Sequence, residues 1–524
     1  AGVGALMLAA GPARRGAEPL LAAAEGPLGG GSWAQPVADA GDFPYVYVLL
    51  GPGGQPIARA IVKNTDSCPG IHVDGVAVQP SVNVRAIGRA APGTVEEPHD
   101  FPVRVCEALL PRRTEGGTFG GRPLPKLTDD PKRYALLGDS GLRVKAENDG
   151  TCRRFARPKE TLYGVAVCEE AGPFDPALVD GDFQALDNWA MYQVFEAAAR
   201  TRPELVVHVG DFLYRQGPCP ANAGCAAIDA RREWGDTWRG WATDVFIPAR
   251  SLLETAPWVV VRGDHETCKR AGYGWFLFLD PHPYPAGVVG GHYCVEQTHG
   301  YSIPFVQDQL IVLDDSYIEP LDGQTGDWGG QDLPCHGHHV AHARNRFHDP
   351  KQKPEEIERQ LAYFTREFAM LRDAAESSDQ NIYVSHRPLF GIACNGTDYV
   401  TLDWTMQEAA ERVPGSLDRV SLAIGGHMHW FQELEFEGHG HPTQLVIGNS
   451  GTKLINDTVR NESYFHKSLR VRGEWISKGV TTSQFGFVDF RRVGDDHIAT
   501  PVFINQDGSS QTLRHITLPR FSPA

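Results

Sequence analysis

The apolar positions fall into two patterns along the chain. Between residues 43 and 111 they form short β-type runs, Tyr45-Val-Tyr-Val-Leu-Leu50, Ala58-Arg-Ala-Ile-Val62 and Phe101-Pro-Val-Arg-Val105, broken by Gly/Pro turns. Such runs between turn residues predict strands, and the segment reads as a small β-sandwich-like domain. Residues 112–131 have the Gly, Pro and Arg composition of a linker. From residue 132 the pattern changes. Buried-type apolar runs alternate with helical stretches, the best of them over 183–200 and 354–376. The second helix opens Pro354-Glu-Glu-Ile, with proline in the first turn and acids beside it, a sound helix start. This alternation predicts an α/β domain over 132–520. Its last stretch, 484–518, returns to short runs such as Phe485-Gly-Phe-Val-Asp-Phe490 and is read as hairpins of the same domain. Residues 1–40 are an Ala/Gly-rich tail. Their apolar start resembles the end of a targeting segment as much as a frayed terminus.

Within the α/β region one pattern recurs five times: an apolar run ends abruptly in Gly or Ser beside Asp or His. The runs are Tyr134-Ala-Leu-Leu-Gly-Asp139, Leu205-Val-Val-His-Val-Gly-Asp211, Trp258-Val-Val-Val-Arg-Gly-Asp264, Ile382-Tyr-Val-Ser-His386 and Val420-Ser-Leu-Ala-Ile-Gly-Gly-His427, the last followed by Met428 and His429. In open α/β sheets function collects outside the carboxyl ends of the strands. The five ends therefore bring three Asp and three or four His to one rim. Glycine before the ligand permits a sharp turn and close backbone approach. Carboxylates mixed with imidazoles suit iron, manganese or zinc better than calcium. The number of donors is enough for two metals sharing a carboxylate, a clamp for in-line displacement at phosphorus.

Charge and cysteine usage narrow the setting. With 49 Lys plus Arg against 65 Asp plus Glu, the net charge of −16 excludes a nucleic-acid coat or an anionic-membrane binder. A phosphate ester would need local positive charge here, which metal ions supply. No segment approaches the ~20 apolar residues of a membrane span. The 10 cysteines form no CxxC pair, and an even count spread through loops suggests an oxidising compartment, periplasmic or secreted. Free buried thiols are the alternative. Cys219 and Cys225 flank a short loop and are spaced for a small disulfide ring.

At the five motifs the chain resembles the calcineurin-like metallophosphoesterases. Gly141, where other branches place His, and Tyr214, three residues after Asp211, resemble the purple-acid-phosphatase-like branch of secreted bacterial type. The resemblance implies a β-sandwich core flanked by helices, preceded by a small all-β domain. It implies that Asp139, Asp211, Tyr214 and His429 hold one metal, that Asp211 bridges, and that Asp264, His386 and His427 complete the second. His265 would contact the phosphate and assist the leaving group. The implied cofactors are two metal ions, iron with iron, zinc or manganese, and the implied substrate is a small-molecule phosphate ester. A phosphomonoesterase is favoured by the branch; a phosphodiesterase on the same core is the alternative. The rival from another class is a non-catalytic binding protein with a relic metal domain. The departure from the family pattern is Asp264, where the family has Asn. Its added negative charge is expected to weaken phosphate binding.

Other residues are weaker candidates. The segment Cys335-His-Gly-His-His339, with His342 and His348, reads as a solvated loop over the cleft. His208, Arg143 and Arg262 sit near ligands and are candidates for phosphate contact or for packing. Trp234, Trp238 and Trp241 lie at helical spacing and read as core. Glu266 is a candidate to orient His265.

Overall fold

A computed structural model describes residues 43–78, 101–141, 190–214, 235–285, 293–318, 354–394 and, with short breaks, 399–454 and 469–518. Two large sheets lie face to face. Ten strands carry most of the argument: β1 (Tyr45–Leu50), β2 (Pro56–Lys63), β3 (Val103–Leu109), β4 (Arg133–Leu137), β5 (Leu205–His208), β6 (Trp258–Val260), β7 (Gln309–Val312), β8 (Asn381–Val384), β9 (Val420–Gly425) and β10 (Thr443–Ile447). The first sheet runs Asp496–Ile504, Gly486–Val493, β4, β5, β6, β1, β2, β3. The second runs Tyr301–Pro304, β7, β8, β9, β10, Phe431–Phe436, Glu474–Thr482. The centres of both are parallel, β4 to β6 in one and β7 to β10 in the other.

Parallel strands are buried on both faces, which is why their sequences read as unbroken apolar runs. Successive side chains then serve opposite cores. Tyr134, Leu136, Leu205, Val207 and Val259 point between the sheets, against Leu310, Ile382, Val384, Leu422 and Leu445. Ala135, Leu137, Val206, Trp258 and Val260 face outward under the helices Ala190–Arg200, Arg250–Thr255 and Gly272–Phe278. Helices Pro354–Ala375 and Trp404–Glu411 cover the outer face of the second sheet. The fold is thus α/β, a β-sandwich flanked by helices. Trp238 and Trp241 are buried in the outer cluster of the first sheet, while Trp234 lies outside the described residues.

The N-terminal region is rich in strands, and they extend the large sheet. β1 pairs in parallel with β6 at Leu49 and Trp258, and β2 and β3 follow antiparallel. Tyr45, Tyr47 and Leu49 enter the helix-side core, whereas Val46 and Val48 pack under a small sheet of Ile71–Val73, Val76–Val78, Gly117–Phe119 and Arg122–Leu124. The last two strands fall in the stretch read as a linker. Its Gly120-Gly121 pair forms the hairpin turn, at φ 59° and 79°. Arg59 fastens the region to its neighbour. Fully buried, it donates to Glu107 Oε1 at 2.8 Å and to the carbonyls of Phe278 and Asp280, both at 2.6 Å.

Disulfides join Cys68 to Cys106 and Cys268 to Cys294, and no cysteine among the described residues is free. The Cys219–Cys225 ring, Arg143 and the His-rich segment 335–348 lie outside the described residues. No described helix is long and apolar enough to cross a membrane.

Candidate metal centre

Five strands from the two sheets end at one rim. β4, β5 and β6 lead into Asp139, Asp211 and Asp264; β8 and β9 lead into His386 and His427. The turns are tight. Asp139, Asp211 and His427 take φ of 53°, 58° and 66°, a region that non-glycine residues enter at a cost and that clusters at functional sites. Two glycines make room for the donors. A β-carbon on Gly263 would stand 2.2 Å from Asp211 Oδ1, and one on Gly426 2.4 Å from Asp139 Oδ2.

The donor atoms fall into two groups. Asp211, Asp264, His386 and His427 offer ligand atoms within 4.8 Å of one another, and so do Asp139, Asp211 and His429. Asp211 belongs to both. Its Oδ1 lies 3.3 Å from His386 Nε2, and its Oδ2 accepts from the Tyr214 hydroxyl at 2.9 Å. That hydroxyl also reaches Asp139 Oδ1 and His429 Nε2, each at 3.0 Å. His427 Nδ1 stands 3.1 Å from Asp264 Oδ1. The acids and Tyr214 come from the first sheet, the three imidazoles from the second. His265 is half-buried, its ring 4.0 Å from that of Tyr214 between centroids. Its backbone N–H donates to Asp211 Oδ1 at 3.0 Å.

A further shell positions these groups. His386 Nδ1 lies 2.8 Å from the Val209 carbonyl, so its proton rests there and Nε2 faces the centre. Asp315 accepts from the backbone N–H of His386 and Arg387, both at 2.9 Å. Glu266 holds the turns themselves, not His265. Its carboxylate accepts from the N–H groups of Asp211, Phe212, Leu213 and Gly263 at 2.8–3.1 Å. Burial, then the Asp211 charge, pushes its carboxyl up to about 8. His208 and Arg262 are packing residues. His208 bonds Ser140 Oγ at 2.8 Å and stacks on Phe212. Arg262 donates to the Glu266 and Val295 carbonyls, each at 2.8 Å.

The electrostatics suit cations. Burial, then the Asp211 charge, raises Asp139 well above the usual carboxylate range, and burial also raises Asp211. Burial alone would lower His386, but the charges of Asp211, Asp264 and Asp139 carry it well above its ordinary value. Burial, then the Arg387 charge, brings His427 down to about 3, leaving it a neutral imidazole. Three buried carboxylates facing one another need compensating positive charge. Oxygen and imidazole donors in two groups with a shared carboxylate therefore fit a pair of metal ions.

Asp264 is not an uncompensated charge. Arg270 Nη1 donates to its Oδ2 at 2.7 Å and to its carbonyl at 3.1 Å, leaving Oδ1 for the histidines. Burial would raise its carboxyl, but hydrogen bonds from His386 and His427 hold it well below the usual range. Asp264→Asn is expected to tighten inhibition by inorganic phosphate severalfold, because Arg270 loses its counter-charge. Arg270→Ala should weaken that inhibition to a similar degree. At ~4 Å and an effective dielectric of ~20, one unit charge acting on another amounts to ~4 kcal/mol before screening. Inhibition constants for both variants check the pair: equal values in the two would sever Arg270 from the charge balance of the centre.

Among solved structures, a purple acid phosphatase from yellow lupin (Lupinus luteus) seeds is 14% identical, with a TM-score of 0.46, covering 90% of this chain and 73% of its own. The structure of PhoD is 11% identical, with a TM-score of 0.44, covering 92% and 93%. A dimetal phosphatase from Danio rerio is 13% identical, with a TM-score of 0.35, covering 75% and 100%. No curated protein matches the chain. The model of the calcineurin-like phosphoesterase family matches residues 133–431, from the start of β4 to the strand after His429. That match spans more than half of the chain and takes in all five strand ends, and the chain belongs to the calcineurin-like phosphoesterase family.

Proposed function

We infer that the chain is a phosphomonoesterase of the purple-acid-phosphatase-like branch, periplasmic or secreted, with iron paired to iron, zinc or manganese. Asp139, Asp211, Tyr214 and His429 hold one metal; Asp211, Asp264, His386 and His427 hold the other. The observation that carries this reading is the division of Asp211 between the two donor groups. A split carboxylate is what two metals a few ångströms apart require.

When bound, the metal pair supplies Lewis acidity toward water and the phosphoryl oxygens. The chain's own part is to bind, orient and protonate. As the oxygen of water joins phosphorus and the ester P–O bond breaks, His265 gives its proton to the leaving oxygen. Its backbone bond to Asp211 keeps it at the centre, and Asp264 is near enough to feel its positive charge. Support for the branch comes from Gly141. A β-carbon there would stand 2.4 Å from the Phe212 carbonyl and 2.9 Å from Tyr214 Cδ2. A side chain at 141 would thus meet the Phe212 carbonyl first and the Tyr214 ring next. Support for an oxidising compartment comes from the two disulfides.

Metal analysis of the purified protein, alongside turnover of the mono- and diester of nitrophenol, tests the reading. Two bound metals and faster monoester turnover are expected; faster diester turnover, or no turnover with both metals bound, overturns it. Tyr214 gives a spectroscopic check. In an iron-loaded protein its phenolate should produce a visible charge-transfer band that Tyr214→Phe abolishes. A colourless wild type containing two irons would remove Tyr214 from the ligand set.

A further inference from the structure

Among the described residues, one arginine beside the centre makes no side-chain ion pair, although Asp315 and Asp403 lie near enough to feel its charge. Arg270 is matched by Asp264, and Arg262 by Asp314. Arg387, the residue after His386, is half-buried. Its guanidinium Nη1 lies 3.3 Å from His427 Nε2, and its Nε is buried with no hydrogen-bond partner. Burying charged donors without an acceptor is costly, so an anion arriving there would be well received.

The tautomer of His427 sharpens the point. Its Nδ1 is the atom that faces the donor group, 3.1 Å from Asp264 Oδ1 and 3.3 Å from His386 Nε2. A metal takes an unprotonated ring nitrogen. With Nδ1 so used, the proton rests on Nε2, which faces Arg387. Arginine offers only donors. Two donors then confront each other at 3.3 Å with no acceptor between them. In the metal-free protein the same pair is satisfied internally: Nδ1–H donates to Asp264, and Nε2 accepts from Arg387.

We propose that Arg387 and the Nε2–H of His427 clamp a non-bridging phosphoryl oxygen of the substrate, and that loading the second donor group is what opens the clamp to an anion. The inference rests on the phosphatase reading above and deepens it. A guanidinium at this place favours the doubly charged monoester over the singly charged diester, which makes Arg387 a specificity-determining residue.

Calorimetric titration of inorganic phosphate into the manganese-loaded protein tests it, with metal content measured on the same samples. Arg387→Gln is expected to retain both metals and to bind phosphate about tenfold more weakly or worse, the loss of a charge-assisted hydrogen bond. It should also raise KM for nitrophenyl phosphate more than for the bis(nitrophenyl) diester. Arg387→Lys keeps the charge but not the fork and should recover only part of the affinity. Unchanged phosphate affinity in Arg387→Gln at full metal content overturns the proposal. Should Arg387→Gln lose its metals or its fold, Arg387→Lys decides, and wild-type phosphate affinity in that variant overturns the proposal. A wild type with both metals that neither binds phosphate nor hydrolyses esters would instead strike at the phosphatase reading itself.

Discussion

Asp211→Gly is expected to empty both metal groups together and to lower ester hydrolysis by orders of magnitude. Asp211 is the residue common to both donor groups, so its loss differs in kind from the loss of any other ligand. Glycine is the informative replacement because Asp211 sits at φ 58°, where a β-carbon itself adds ~1–2 kcal/mol of strain. The control is His427→Asn, at φ 66°, since Asn tolerates the left-handed region. That variant should lose the second metal and keep the first. Metal stoichiometry by elemental analysis separates the two outcomes. An Asp211→Gly protein that still carries two metals would end the bridging assignment.

Glu266→Ala should produce the largest loss of stability of any single change near the centre. The side chain is fully buried and accepts four backbone N–H groups. Each donor left unpaired costs about 1–3 kcal/mol. The expected loss is therefore about 4 kcal/mol or more, a large share of a typical folding free energy. Glu266→Gln retains one carbonyl oxygen but turns an amide donor toward the same N–H groups, and should recover only part of it. Denaturant unfolding of the metal-free proteins measures this without interference from metal loss. A change below ~1 kcal/mol in Glu266→Ala would mean that the turns hold themselves.

The two predictions differ in how far they were legible in the chain. The five candidate donors at the strand ends were, because Asp139, Asp211, Asp264, His386 and His427 each close an apolar run and follow Gly or Ser, so chemistry and strand end are written side by side. Tyr214 was visible at its three-residue offset from Asp211. The work of Glu266 was not: its partners are backbone amides, three of them 53–55 residues earlier, and amides carry no sequence mark. Arg270 and Arg387 were equally silent, since pairing with Asp264 or facing His427 is a matter of loop geometry. The N-terminal strands show another limit. An unbroken apolar run such as Tyr45–Leu50 looks the same in a separate sandwich and at the side of a larger sheet. Only the register of Leu49 with Trp258 distinguishes them. Gly120-Gly121 has a linker's composition because a hairpin turn uses the same residues.

The division of donors between the sheets has a mechanical meaning. Acids and phenol stand on one layer of the sandwich, imidazoles on the other, and the layers meet chiefly through apolar side chains, whose contacts are individually weak and non-directional. A metal in either proposed group is bonded to both layers at once and works as a rivet through the laminate. Its grip is added to the folded state by mass action, RT ln(1 + [L]/Kd). Metal supply thereby governs how firmly the two halves of the core are held in register, as well as whether the protein turns over its ester.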